Sequence, residues 1–440
     1  MRILHFCNYA ERVGGAEVYA HALIAAQRER GHEVALFGGA EQAEIDRPGL
    51  RVIQRPNYDA ARLIVDPAAK SALQEYLARF RPDLIHAHNY FSVALDVVHE
   101  LGSCGVPLVQ TVHDYQLLCP NSWCVRWDGQ PCPGGAGEQC FQHACERNYP
   151  YDAWSVLLAR IRQSLVATAT SRSIAPSGAL VERLLNNGWS GVHHLPYFIE
   201  FTPVPPVSRA EQEVLYVGRL EREKGVAVLL SAAGILKGAW PELRTTVIGS
   251  GSCLVDLQAL ARKLQIEDRV RFLRGLPREA IAAHYRSASV CVLPSLWAEN
   301  SPLVAYECMA SATPMIGSRI GGIPELIGEA GFTFVPGDAR ALSDALARFL
   351  TLDSGRRGEL SEIARRQSLR YSKDGHLDEI ERVYSAARVT APLPTPAFWT
   401  TLWPLLERAS AQHRSPLAAP SAKALLRRLA RELGLPKLLP

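Results

Sequence analysis

Two successive series of short apolar runs, each run followed by an amphipathic helical pattern, constrain this chain more than any other feature. In the first half, strands are predicted at 2–8, 33–37, 83–86, 107–113 and 173–176, with helices such as 16–30 and 151–170 between them. In the second half they are predicted at 213–217, 243–249, 270–273, 289–294, 314–317 and 332–335, again separated by helices, and helical pattern continues from about 354 to 388. Alternation of this kind builds parallel sheets covered on both faces, which bind ligands at the carboxyl ends of their strands. The expected fold class is therefore α/β, with two Rossmann-like domains facing each other across a cleft. The first domain is expected over 1–200 and the second over 213–370, joined by a linker at 201–212 whose 201–208 stretch is proline-rich. A helix at 371–388 and a proline-rich basic tail at 389–440 complete the chain.

Composition bounds what such a chain can do. Of 440 residues, 48% are hydrophobic and 21% charged, the balance of a soluble protein able to bury sizeable cores. No window holds eighteen uninterrupted apolar residues, which argues against a spanning helix. The opening Met-Arg-Ile-Leu-His-Phe runs straight into a strand and is too short in apolar length for a secretory signal, so a cytoplasmic location is expected. The net charge is +4, yet residues 391–440 alone carry seven Lys or Arg against two Glu, or +5, which leaves −1 for the rest. A nearly neutral body argues against a nucleic-acid partner. Within the tail, Ala422, Leu425, Leu426, Leu429 and Leu433 share one helical face, with Lys423, Arg427, Arg428 and Arg431 largely elsewhere and Phe398, Trp399, Leu402 and Trp403 upstream. Two readings stay open: an interfacial helix on an anionic membrane surface, or a helix packed on the second domain.

Three segments carry chemistry. Gly218-Arg-Leu-Glu-Arg-Glu-Lys-Gly225 follows an apolar strand and precedes a helix. A fork donor at Arg219 and a point charge at Lys224, both at a strand's carboxyl end, can together neutralise a diphosphate. Glu299-Asn-Ser-Pro-Leu-Val-Ala-Tyr-Glu307 places two carboxylates eight residues apart, the first in a loop and the second on a helix starting near Pro302. Carboxylates accept hydrogen bonds from sugar or ribose diols, and the amides of the helix's first turn point at whatever lies above. Gly14 and Gly15 open the first helix, where backbone can approach a phosphate or sugar, and Gly249-Ser-Gly251 is a second glycine turn after a strand. None of the fifteen aspartates has another two positions away, so the D-x-D pair of many metal-dependent sugar transferases is absent.

Taken in order, the Gly-Gly loop, the G-R-L-x-x-x-K-G segment, the G-x-G turn and the E-x7-E element resemble the family-four retaining glycosyltransferases of GT-B architecture, the group 1 glycosyltransferases. The resemblance covers roughly residues 1–388. It implies transfer of a sugar from a nucleotide-diphosphate donor, such as a UDP- or GDP-sugar, with retention of configuration and no catalytic metal. It further implies that Arg219 and Lys224 hold the diphosphate and Glu307 the ribose, while Glu299 with Asn300, Ser301, Pro302 and Leu303 holds the sugar. Gly14, Gly15 and Gly249 belong to the same donor-binding set, and helices near 374–387 would return to brace the first domain. A glycan or lipid-linked acceptor, as in surface polysaccharide or glycolipid assembly, is the expected partner.

His113, in Thr-Val-His-Asp, matches a histidine that in this family meets the donor sugar; the alternative is a histidine packed at a strand end with Asp114 capping the next turn. Of His86 and His88, one is expected to face the acceptor side and the other the core. Cys119, Cys124, Cys132, Cys140 and Cys145 crowd one loop. They read as a structural zinc site, as thiols in a packed loop, or as a redox group. The rival functions are a nucleotide-sugar isomerase of the 2-epimerase type and a nucleotide-sugar-binding protein without turnover.

Overall fold

The computed structural model describes residues 1–390 except 12–13, 41–43, 55–65, 91–92, 127–129, 131, 138, 144, 146–152 and 200–209. The proline-rich stretch 201–208 and the basic tail therefore lie outside the described residues. The chain divides into two compact units: Met1–Pro176 with Val181–Leu195 and Leu377–Pro440, and Ser177–Leu180 with Pro196–His376.

In the first unit β1 (Arg2–Tyr9), β2 (Glu33–Ala40), β5 (Leu84–Ala87), β6 (Leu108–Thr111) and β7 (Arg172–Ala175) fall where apolar runs predict them. Three further strands, β3 (Ile45–Arg47), β4 (Leu50–Gln54) and β8 (Val192–His194), complete a sheet of order β3-β4-β2-β1-β5-β6-β7-β8. All neighbours are parallel except the β3–β4 pair. β3 and β8 are the two edges, with β4 just inside β3; at the edges exposure removes the apolar signal, and all three residues of β3 are exposed. Connection order reverses between β1 and β5, which makes their carboxyl ends the crevice of this sheet. Helix α1 (Gly15–Glu29) leaves β1 there, its Gly14 amide donating to Glu17 Oε2 at 3.0 Å. The last helix, α14 (Lys373–Ala386), contributes its residues from Leu377 to this unit. Arg30 binds Asp378 and Glu381 of α14 at 2.7 and 3.3 Å, and His32 approaches Glu381 at 3.1 Å.

The second unit has the strand order β11-β10-β9-β12-β13-β14, all parallel. These are β9 (Glu213–Val217), β10 (Arg244–Ile248), β11 (Val270–Leu273), β12 (Val290–Leu293), β13 (Met315–Ser318) and β14 (Gly331–Phe334). Their order is that of a dinucleotide-fold sheet, with its switch point between β9 and β12. Helices α7 (Val226–Leu236) and α12 (Ala339–Leu350) pack Leu229, Leu230, Leu346 and Phe349 onto Val214, Val247, Ile316 and Phe334. Asp338 caps α12 by accepting from the amides of Arg340 and Ala341. No helix among the described residues is long and apolar enough to cross a membrane.

Candidate active site

The two chemical segments of the second unit meet because β9 and β12 are neighbours. Gly218–Gly225 leaves β9 and makes one 3-10 turn at Arg222–Lys224; the Glu299 loop leaves β12. Lys224 Nζ lies 2.9 Å from Glu299 Oε1, with the side chains only 16 and 12% exposed. Ser295 Oγ donates to the same carboxylate oxygen, and the Trp297 ring lies 5.2 Å below Lys224 Nζ. The loop backbone is fixed as well, since Gly322 N donates to Glu299 O at 2.7 Å. Arg219 behaves differently: its side chain is 63% exposed and pairs with Glu223 at 3.1 Å. An exposed i,i+4 pair is weak, so this guanidinium is easily redirected.

Pro302 caps α10 (Leu303–Ala310), which carries Glu307. Glu307 accepts a hydrogen bond from Tyr285 Oη at 2.7 Å; Tyr285 belongs to α9 (Arg278–Ser287). Burial and the Glu307 carboxylate hold the Tyr285 hydroxyl well above its ordinary value, so it stays a donor. Ser301 Oγ and Tyr306 Oη are 2.6 Å apart, and Tyr197 N donates to that phenol at 3.1 Å. Asn300 is buried beside them, its carbonyl against Gly322. Gly249 has φ +151°, and a side-chain carbon there would stand 1.8 Å from Gly218 O. Leu220 N donates to Ser250 O at 2.8 Å, so the loops after β9 and β10 are backbone-bonded to each other. The spacing of motifs named Lys224, Glu299 and Glu307 but gave no sign of Ser295, Trp297, Tyr285 or Tyr306. Ser295, Trp297 and Tyr285 contact the charged groups and Tyr306 holds Ser301, and no sequence pattern marks them.

In the first unit His113 follows β6, half-buried, and Asp114 accepts from Gln116 N at 2.8 Å, so the turn-capping geometry is present. Burial lowers His113 to about 3 and raises Asp114 to about 6. His86 and His88, expected to divide between the acceptor side and the core, are both buried, at 0 and 2% exposure; β5 is an interior strand and hydrogen-bonding partners cover both rings. His88 Nδ1 lies 3.1 Å from His113 Nε2, and the two rings stack at 5.4 Å.

The five clustered cysteines are all buried, and no disulfide joins any cysteine of the chain. Among the described residues no three of the five sulfurs gather within 4.8 Å of one another. Cys119 and Cys124 interact across the turn that follows His113, where the hydrogen bond from Cys124 holds the Cys119 thiol down at about 6 despite burial. Cys140 and Cys145 pack instead with Ala136, Val156 and Ala159.

Two family profiles match. Glycosyltransferase Family 4 covers residues 13–200, and Glycosyl transferases group 1 covers residues 201–367. The chain is 28% identical to a D-inositol 3-phosphate glycosyltransferase of Corynebacterium jeikeium, over 84% of this chain and 91% of that one. Its fold matches sucrose-phosphate synthase of Thermosynechococcus elongatus with a TM-score of 0.68 at 22% identity, over 88% of this chain and 98% of that one. It also matches Anabaena HepE, solved in complex with UDP-glucose, with a TM-score of 0.63 at 18% identity, over 88% of this chain and all of that one. The fold is GT-B, and the enzyme class that goes with the two profiles is glycosyltransferase. The chain belongs to the group 1 glycosyltransferases, family 4 type.

Proposed function

We propose that this enzyme takes a sugar from a nucleotide-diphosphate sugar and passes it, with retention and without a catalytic metal, to a hydroxyl of a glycan or lipid-linked acceptor. The observation that carries the reading is the Lys224–Glu299 pair at 2.9 Å, set at the switch point of a dinucleotide-fold sheet. A cation held there neutralises the leaving diphosphate, where charge develops in the transition state. Glu307, aimed by Tyr285, takes the ribose hydroxyls; Glu299 and the loop after it take the sugar; Arg219 swings in from the surface to the phosphates. His113 is assigned to the sugar, as the family resemblance implies. The named relatives support the substrate class, one acting on an inositol phosphate and one structural neighbour binding UDP-glucose. Work at the cytoplasmic membrane face belongs to this reading through the basic tail.

A thermal-shift panel of UDP, GDP, ADP, TDP and their sugars tests it. One nucleotide at a hundred times its dissociation constant stabilises the wild type by about 2.7 kcal/mol. No stabilisation by any of them removes the reading. With donor and acceptor supplied, NMR of the product reports the retained anomer and EDTA leaves the rate unchanged. Isomerisation of the donor without acceptor would favour the epimerase instead. A narrower prediction concerns Tyr285→Phe, which removes a hydrogen bond to a charged group and should weaken the nucleotide about tenfold. Unchanged affinity in that variant, beside a loss in Glu307→Gln, would show that Glu307 needs no aiming.

A further inference from the structure

Four histidines of the first unit join Gln27, Tyr384 and Thr111 in one chain of hydrogen bonds. Gln27 Nε2 donates to Tyr384 Oη at 2.9 Å, and Gln27 Oε1 lies 2.7 Å from His5 Nε2. His5 Nδ1 lies 2.8 Å from His88 Nε2, and His88 Nδ1 lies 3.1 Å from His113 Nε2. On the other side Tyr384 Oη is 2.7 Å from His86 Nδ1, and His86 Nε2 is 2.8 Å from Thr111 Oγ1. His5, Gln27 and His86 are fully buried. The juxtaposition follows from the fold, since His5 and His86 are register partners on β1 and β5. Gln27 lies on α1 and Tyr384 on α14.

The chain has a direction, and Gln27 sets it. A carbonyl oxygen only accepts, so His5 carries its proton on Nε2, and Nδ1 of a neutral ring is then an acceptor. His88 must therefore donate from Nε2, which makes its Nδ1 an acceptor for Nε2–H of His113. Tyr384 accepts from the Gln27 amide, and its phenol either gives its proton to His86 Nδ1 or accepts from it as well, with Thr111 adjusting, so the His86 branch is not set by Gln27. Turning the Gln27 amide over reverses every link from Gln27 to His113, and along that branch no partial reversal keeps all the rings neutral and all the bonds made. We propose that Gln27 is a positioning residue for His113: through three hydrogen bonds its amide orientation decides which ring nitrogen of His113 carries the proton. As built, Nε2 carries it and Nδ1 is an acceptor, suited to a hydroxyl that donates. The meaning for sugar transfer rests on the assignment of His113 to the sugar; the tautomer does not.

The surroundings keep the rings neutral. Burial lowers His5 to about 4 against the opposing hydrogen bond of Gln27, with Arg28 and His21 adding to the fall. Burial and the neighbouring imidazoles hold His88 well below its ordinary value. Burial raises the carboxyls of Glu17 on α1 and of Asp114 in the His113 turn, and the Glu381 carboxylate acts on the Tyr384 hydroxyl. His5, His86 and His88 also bring ring nitrogens within 4.8 Å of one another, the spacing of a cation site. Each of those nitrogens already takes part in the chain, so a cation would have to break it.

Nitrogen-15 histidine NMR of the full-length protein near neutral pH reads the tautomers directly. His5, His88 and His113 are expected to share the Nε2–H form, while His376, 2.9 Å from the Pro196 carbonyl, shows Nδ1–H as an internal reference. In Gln27→Met the shared form breaks into mixed tautomers at His113, and in Tyr384→Phe, which unfixes the amide, it weakens. His376 and the nucleotide-induced stabilisation of the second unit stay as in the wild type. Mixed tautomers among His5, His88 and His113 of the wild type would overturn the proposal, as would a single tautomer at His113 in both variants. Failure of the glycosyltransfer reading would show differently, as no response to any nucleotide with the tautomers intact.

Discussion

Lys224→Ala should lower kcat/KM by a factor of about 10² to 10³, the loss seen when one preorganised charge-stabilising donor is removed. The lysine is placed for this by three contacts: Glu299 Oε1 at 2.9 Å, the Trp297 face at 5.2 Å, and the 3-10 turn that presents it. With the side chain 16% exposed, its charge acts through less water than a surface lysine's. The pair with Glu299 keeps the ammonium oriented, and in the proposed function the donor diphosphate competes for it. Arg219→Ala should cost less, since that side chain is 63% exposed and has to be ordered on binding. Lys224→Arg should not restore the rate, because a planar fork does not fit a site built for a point charge. The measurement is steady-state transfer at saturating acceptor, together with nucleotide-induced stabilisation. A Lys224→Ala enzyme with near wild-type turnover would take the diphosphate away from this residue.

What could be read in the sequence follows from where each signal originates. The interior strands β9, β10, β12 and β13 of the second unit are mostly buried and appear as apolar runs, and the edge strands β11 and β14 keep enough apolar residues that all six were legible. Edge strands β3 and β8 carry three residues each in half-solvated surroundings, and runs that short leave no period to detect. Lys224 and Glu299 stood out because each lies in a motif, but their ion pair could not be foreseen. It depends on β9 and β12 being neighbours, which only the strand order supplies. The histidine chain was less visible still. His5 reads as part of an apolar strand, Gln27 as the polar side of a helix, and Tyr384 lies 357 residues further on. Buried polar groups without a charge or a spacing signature reveal themselves only once their partners are in place.

Gly225→Ala should destabilise the second unit by about 3 kcal/mol, from overpacking together with left-handed backbone. Gly225 ends the diphosphate segment at φ +68°, and a side-chain carbon there would stand 1.9 Å from the carbonyl oxygen of Pro294. Backbone cannot yield cheaply at that point, since it closes the end of β12 and leads into the loop of Ser295, Trp297 and Glu299. For a unit of this size the loss amounts to a fall of about 10 °C in melting temperature. Nucleotide affinity should fall with it, because relief of the clash moves the Lys224 turn away from the Glu299 loop. Gly358→Ala is the matching control. It lies in α13 (Ser354–Ser368), where an added carbon meets nothing within 4 Å, and there the change should stabilise by about 0.5–1 kcal/mol. Calorimetry of the two variants separates the cases: equal shifts would mean that contact with Pro294 is not what reserves position 225 for glycine. Opposite shifts would show the two site segments held together through bare backbone, which no other residue at 225 could allow.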